Sequence, residues 1–166
     1  MWLSERLILP VAAGLLLVFC SCGFEPVYGT GATGPGFQGR VHVVPGTDRA
    51  DFELRERLVE RLGPAEESAP YSLEFEMSVT ERRLALEREG QFARHSLDGT
   101  VTFRVTDRTT GKTVYTATAW SRAAYGATVA TYPTRVAARD AELRLARSLA
   151  DRIVARVELT WGRWSG

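Results

Sequence analysis

From Tyr71 to Val79 the chain alternates without a break. Tyr71, Leu73, Phe75, Met77 and Val79 are apolar, and Ser72, Glu74, Glu76 and Ser78 between them are polar. Successive side chains of a strand point to opposite faces, so a two-residue period predicts a strand with one dry face and one wet face. A helix would scatter the same apolar set around its cylinder. The pattern continues through Leu84 and Leu86, past a bulge expected at Arg82-Arg83, and Glu89-Gly90 makes a turn. It returns in Val101, Phe103 and Val105, set against Thr100, Thr102, Arg104 and Thr106. Thr109-Thr110-Gly111-Lys112 reads as a hairpin turn. Val114 to Tyr125 then reads as a further strand, with Tyr115, Ala117 and Ala119 on one face and Trp120 at a register change or on the other. Three long strands in meander order predict an antiparallel sheet.

Helical periods flank this block. Arg40 to Val44 is a short β-branched run closed by Pro45-Gly46, a first strand. Asp48 can cap a helix that carries Leu54, Leu58 and Leu62 at four-residue spacing, with Phe52 and Val59 on an adjoining row. Gly63-Pro64 stops it, and Ala65 to Pro70 is a polar loop. Pro133 suits the first turn of a second helix, with Tyr132 or Thr134 near the cap. Leu143, Ala146, Leu149, Ala150, Ile153 and Val157 form its apolar stripe, and Arg144, Arg147, Asp151 and Glu158 take the other side. Asp140 and Arg144 make an acid-then-base pair four apart. The spacing predicts a helix over 135–159, with the Trp161-Gly162-Arg163-Trp164 end packing back on the domain. Each helix has one apolar face and so does the sheet. The expected fold is therefore an α+β two-layer sandwich, with two helices on one face of a four-stranded, mainly antiparallel sheet in the order β-α-β-β-β-α. The other sheet face, with Glu74, Glu76, Arg104 and many threonines, is left to water or a polar partner.

The N-terminus is of another kind. Arg6 precedes an apolar run from Leu7 to Phe19, interrupted by Pro10 and Gly14. That is signal-peptide length, short of the roughly 20 apolar residues of a membrane-spanning helix. The run ends at Cys20-Ser21-Cys22, which resembles a bacterial lipobox, where a small residue precedes a cysteine that is acylated after cleavage. Ser21 before Cys22 fits; Phe19 before Cys20 fits poorly. Each buried methylene contributes about 0.8 kcal/mol, so several acyl chains on Cys22 would hold a domain firmly at a membrane surface. Gly29 to Gly36 matches the letters of a dinucleotide-binding G-x-G-x-x-G, but no strand precedes it and Pro35-Gly36 follows where a helix should open. It reads as a tether. The expected organisation is a lipoprotein signal peptide over 1–21, a lipidated N-terminus and tether over 22–37, and a single α+β domain over 38–166.

Reactive chemistry is sparse. Both cysteines lie in the signal segment, and His42 and His95 have no second ligand at metal-binding spacing, so no metal site is expected. No P-loop, G-x-S-x-G elbow or H-E-x-x-H occurs, and no catalytic residues are assigned. Removal of the signal segment takes Glu5 and Arg6 together and leaves a net charge of +1, too small a field to steer the chain to nucleic acid. The basic residues are nevertheless almost all arginine, Lys112 being the sole lysine. Arginine forks fit phosphate and carboxylate groups.

Cys22-Gly23-Phe24-Glu25-Pro26-Val27-Tyr28-Gly29, a lipobox cysteine followed by Gly-Phe-x-Pro-aliphatic-Tyr-Gly, resembles the start of the lipopolysaccharide-assembly lipoprotein family, LptE. The element order and the long helix ending in Ile153-Val154-Ala155-Arg156-Val157 are similar to that family's pattern as well. The resemblance implies a non-enzymatic outer-membrane lipoprotein facing the periplasm, with diacylglycerol and acyl groups on Cys22 and no other cofactor. It implies a role as a plug in the LptD β-barrel translocon, which it helps to assemble, and contact with lipopolysaccharide on its way to the outer leaflet. Gly23 after the cysteine agrees with sorting to the outer membrane. Arg88, in the turn between the second and third strands, and Arg135, at the start of the second helix, match the family's lipopolysaccharide-facing basic positions. The rival reading is a peripheral lipoprotein that carries lipid or serves another exporter, which requires an apolar cavity between helices and sheet. Ala146 and Ala150 point instead to close packing.

Overall fold

Residues 36–46, 49–86 and 92–165 are described by the structure, a computed structural model. Their elements are β1 (Val41–Val43), α1 (Arg49–Leu62), β2 (Tyr71–Leu86), β3 (Phe92–Asp107), β4 (Lys112–Thr128) and α2 (Thr131–Trp164). The strands lie in the order β1-β2-β3-β4. β1 pairs with β2 in parallel, since α1 carries the chain back before β2 begins, and the other two pairings are antiparallel. The α+β class and the β-α-β-β-β-α order are those expected from the sequence.

Register turns the alternation into a core. Phe75 lies opposite Phe103, which lies opposite Ala117; Met77, Val101 and Ala119 form the next row. These rows share the face on which α1 sets Leu54, Leu58 and Leu62 and α2 sets Leu145, Leu149 and Ile153, all buried in one cluster. In the following row, Gly99 lies between Val79 and Ser121. A Cβ built at Gly99 would stand 3.0 Å from side-chain methyls of Leu145 and Leu149. Glycine is needed there because α2 lies directly on the backbone of β3. Small residues serve the same end on the helix, where Ala141, Ala146 and Ala150 are buried.

Several boundaries differ from the periodic reading. The bulge falls between Arg83 and Ala85, one step later than expected. β4 runs longer at both ends, and Trp120, opposite Thr100, stands on the wet face at 63 % exposure. α2 starts at Thr131 with Ala130 as a cap that offers no side-chain hydrogen bond, so neither Tyr132 nor Thr134 caps it. Thr134 instead stitches the helix to β4: its Oγ1 donates to the Thr128 carbonyl at 3.1 Å and accepts the Thr128 N–H at 2.9 Å. At its other end α2 continues to Trp164, because Trp161 and Trp164 pack edge-on against Tyr71 at 5.3 and 5.2 Å. Phe37 closes on Trp161 as well, so the packing expected of the tryptophans occurs within the helix. Leu145 is buried where Leu143 was expected to lead the stripe, and Leu143 is half-buried. Phe52 is 57 % exposed although Val59 on the same row packs on the core, so the row overhangs at its N-terminal end. Asp151, expected on the solvent side, binds Arg57 of α1 through Nε at 3.0 Å and Nη2 at 3.4 Å, and clamps the two helices.

Length decides what these layers cover. α1, with 14 residues, rises about 21 Å. β2 has 16 residues and α2 has 34, so each runs about 50 Å. β1 thus borders only Tyr71–Leu73 of β2 and α1 reaches less than half-way up it, and above them the helix side of the sheet is covered by α2 alone. Val79 is 41 % exposed there.

Candidate functional site

At the far end of the sheet β4 passes into α2, whose first turn contains no acidic residue. Tyr132, Arg135, Val136 and Arg139 line a hollow of about 230 Å³ on this turn and the next. Arg135 and Arg139 are four apart, one above the other on the helix, an arrangement that costs a few tenths of a kcal/mol in an isolated helix. Among the described residues neither guanidinium makes an ion pair, whereas Arg144, one turn on, is held by Asp140 as the sequence predicts. The unpaired amides of the helix start add positive potential to this end. Apolar surface lies beside the cations: Val129, Tyr132 and Val136 are all exposed. Two guanidinium forks next to apolar surface suit a ligand that is anionic in one part and greasy in the next.

The same end carries a polar knot on the helix side of the sheet. Glu81, His95 and Tyr125 come from β2, β3 and β4. One carboxylate oxygen of Glu81 accepts the Tyr125 hydroxyl at 2.5 Å and meets His95 Nδ1 at 2.5 Å, and the His95 ring stacks on Tyr125 with centroids 5.1 Å apart. The Tyr125 hydrogen bond, aided by His95, holds the Glu81 carboxyl below its ordinary value. Desolvation together with Glu81 pushes the Tyr125 phenol up to about 12. On the opposite face Asp98 bridges Arg82 and Arg122, and the Arg122 hydrogen bond holds its carboxyl low. Both clusters fasten neighbouring strands where α1 no longer supports them.

The remaining predicted positions fall as follows. Arg135 stands in the hollow just described, and Arg139 and Tyr132 join it there. Arg88 and Cys22 lie outside the described residues. His42 donates through Nδ1 to the Ala65 carbonyl at 3.1 Å, a bond that pins the loop after α1. Among the described residues no group of three or more His, Cys, Asp or Glu side chains could hold a metal ion. No described helix is long and apolar enough to cross a membrane. The wet face of the sheet carries Glu74, Glu76, Arg104 and a Thr102–Thr118 hydroxyl pair at 3.2 Å, around a shallow depression of about 170 Å³. Arg139 had a legible signal, its four-residue spacing from Arg135. The Glu81–His95–Tyr125 knot had none, because its members meet only through strand register.

Fold and surface together define a two-layer α+β domain with a cationic and apolar end and a polar open sheet. A family model described as LptE, lipopolysaccharide-assembly, matches residues 39–157, and the chain belongs to that family. It is a family of non-enzymatic envelope lipoproteins that serve lipopolysaccharide assembly. Solved structures share the fold. A protein from Caulobacter crescentus CB15, provisionally described as a lipoprotein, is 24% identical with a TM-score of 0.63, covering 76% of this chain and 93% of that one. The rare lipoprotein B from Shewanella oneidensis is 20% identical with a TM-score of 0.54, covering 76% and 97%. An uncharacterized lipoprotein B from Nitrosomonas europaea is 15% identical with a TM-score of 0.56, covering 76% and 85%. No curated protein matches the chain.

Proposed function

We propose that this protein is an outer-membrane lipoprotein, anchored through acyl groups on Cys22, that plugs and helps assemble the LptD barrel and binds lipopolysaccharide during delivery. Family membership supports the assembly role. The observation that carries the lipid contact is the hollow at the start of α2, where Arg135 and Arg139 stand without acidic partners among the described residues, beside exposed Tyr132 and Val136. An anionic glycolipid offers phosphates to such forks and acyl chains to such a surface. The open sheet supports the plug: a barrel lumen is polar and wet, and this face presents threonine, glutamate and arginine. A lipid carrier needs an apolar cavity between the layers. Here Leu145 and Leu149 close directly on Gly99.

The deciding experiment is a pull-down of the tagged chain from detergent-solubilised envelopes. Recovery of an outer-membrane barrel in stoichiometric amount supports the plug; its absence returns the protein to the carrier or accessory class. Lipopolysaccharide binding by Arg135→Glu/Arg139→Glu should fall at least tenfold, and an unchanged affinity removes this hollow from the lipid site. Cys22→Ala should abolish labelling with a fatty-acid probe; labelling that persists would move the anchor to Cys20.

A further inference from the structure

The hollow at the start of α2 exists only on a wound helix. Tyr132, Arg135, Val136 and Arg139 stand at i, i+3, i+4 and i+7, so they share one side of α2 only if the helix is wound back as far as Tyr132. Little within the helix holds that first turn. Ala130 supplies no side-chain cap, Pro133 has no amide to bond, and the opening backbone bond, from the Thr134 N–H to the Ala130 carbonyl, is 3.4 Å long. Thr131, Tyr132, Pro133, Arg135 and Val136 are exposed, and of the first six residues of α2 Thr134 alone is partly buried. A helix end of this kind frays unless a tertiary contact holds it.

That contact is one hydroxyl. β4 is an outer strand, and its residues alternate between bonding β3 and turning their amide and carbonyl away from the sheet. Ala124 turns away, its carbonyl accepting from Arg144 Nη2 at 3.0 Å, and Thr128, four residues on, faces the same way. Thr134 Oγ1 accepts the Thr128 N–H at 2.9 Å and donates to the Thr128 carbonyl at 3.1 Å, so it satisfies both outward groups of the last residue of the strand. The Thr128 hydroxyl in turn accepts the Ala130 N–H at 3.2 Å and donates to its carbonyl at 3.4 Å. Only Val129 and Ala130 separate β4 from α2, and the two threonines tie both ends of that link. Thr134 directly precedes Arg135. Successive helical residues lie about 100° apart, so aiming Thr134 at β4 fixes the direction of Arg135 and of Arg139 one turn above it.

We propose that Thr134 is the positioning residue of the hollow: it holds the first turn of α2 on the end of β4 and so keeps Tyr132, Arg135 and Arg139 arrayed for an anionic lipid. Thr134 itself does not line the hollow and acts through its neighbours. The role rests on the reading of the hollow as a lipid site. Without the hydroxyl the turn unwinds, Tyr132 leaves the shared face and the two guanidinium groups lose their fixed spacing. Binding must then first rewind the turn, and the apparent affinity falls by the fraction of molecules in which it is wound.

The test uses the full chain purified from membranes and purified lipopolysaccharide. Thr134→Val keeps the β-branched shape and the helix propensity but removes the hydroxyl, whereas Thr134→Ser keeps the hydroxyl. Thr134→Val should lower the affinity about fivefold or more, and Thr134→Ser should stay within about twofold of the parent. Hydrogen exchange in the valine variant should quicken over residues 129–136 and stay unchanged over 145–157, which separates a loosened turn from a loosened domain. Added to Arg135→Glu/Arg139→Glu, Thr134→Val should change the residual affinity by less than about twofold, because its effect passes through those guanidinium groups. Parent-like affinity in Thr134→Val, an equal loss in Thr134→Ser, a loss without faster exchange in the first turn, or the same loss in both backgrounds would each overturn the role of Thr134. The two readings fail in different ways. If Arg135→Glu/Arg139→Glu binds as the parent does, the hollow is not the lipid site and both fall. If that variant loses affinity and Thr134→Val does not, the hollow stands and only the positioning role is lost.

Discussion

Gly99 and Arg135 show how differently two residues of one domain are constrained. At Gly99 a single methyl would enter the space of Leu145 and Leu149. Gly99→Ala should cost about 1–3 kcal/mol, the range for overpacking a tight interior, seen as a lower urea midpoint at unchanged slope. A stability unaltered within error would mean that α2 can lift off β3 freely. Arg135 is exposed and makes no ion pair among the described residues, so its substitution should leave that midpoint in place while weakening lipid binding. Glu81 lies between these cases. Its carboxyl is held low, first by Tyr125 and then by His95, so its folded pKa sits below the unfolded value of 4.5. Such a group stabilises above the unfolded value, and the stabilisation fades as pH falls through the folded one. Glu81→Gln should lower stability at pH 7 by about 1 kcal/mol or less, given its exposure, with the difference shrinking as pH falls below the unfolded value. Tyr125 mirrors it: with its phenol raised to about 12, its contribution is complete below the unfolded value of 10.0 and is lost as pH climbs toward 12.

At the scale of elements, α2 joins both ends of the molecule. Its first turns carry the cationic hollow, its middle lies on β3 and β4, and its last turn closes the aromatic cluster of Phe37, Tyr71, Trp161 and Trp164. Arg40 covers the outer side of Trp161 at 5.5 Å. A chain cut after Leu159, where apolar periodicity ends, would keep the whole stripe yet lose this closure. Trp161→Ala should destabilise the domain by about 3 kcal/mol, at the low end for an aromatic deletion because the ring is partly exposed. A thermal midpoint unmoved by that change would make the last turn ornamental. α1 is the short element, and its brevity leaves the upper half of β2 open on one face and along one edge.

On the scale of the whole molecule, the domain is dry between its layers and wet on its open sheet, with cations gathered at one tall end. A contact between lipid phosphates and partly exposed guanidinium groups is screened by salt. Lipopolysaccharide binding should therefore weaken as ionic strength rises, and more steeply for the parent than for Arg135→Glu/Arg139→Glu. Equal salt slopes would assign the binding to other cations.

The layers were legible because their signals are local. Alternation in Tyr71–Val79 and Val101–Val105 sets which side chains share a face, and the four-residue spacing of Leu54, Leu58 and Leu62 sets the buried row of α1. Either period, once written in the chain, leaves little choice of element. Ends were less legible, because packing carried α2 on to Trp164 and pulled its start back to Thr131. Of the candidate site, Arg135 could be named from the sequence through resemblance alone. Its hollow with Arg139 and Tyr132 depends on where β4 hands the chain to α2. The meeting of Glu81 with His95 and Tyr125, and the stretch of β2 left without a neighbouring strand among the described residues, were decided only by tertiary structure. Both follow from strand register and relative length, which are relations between distant segments and are not encoded in either segment by itself.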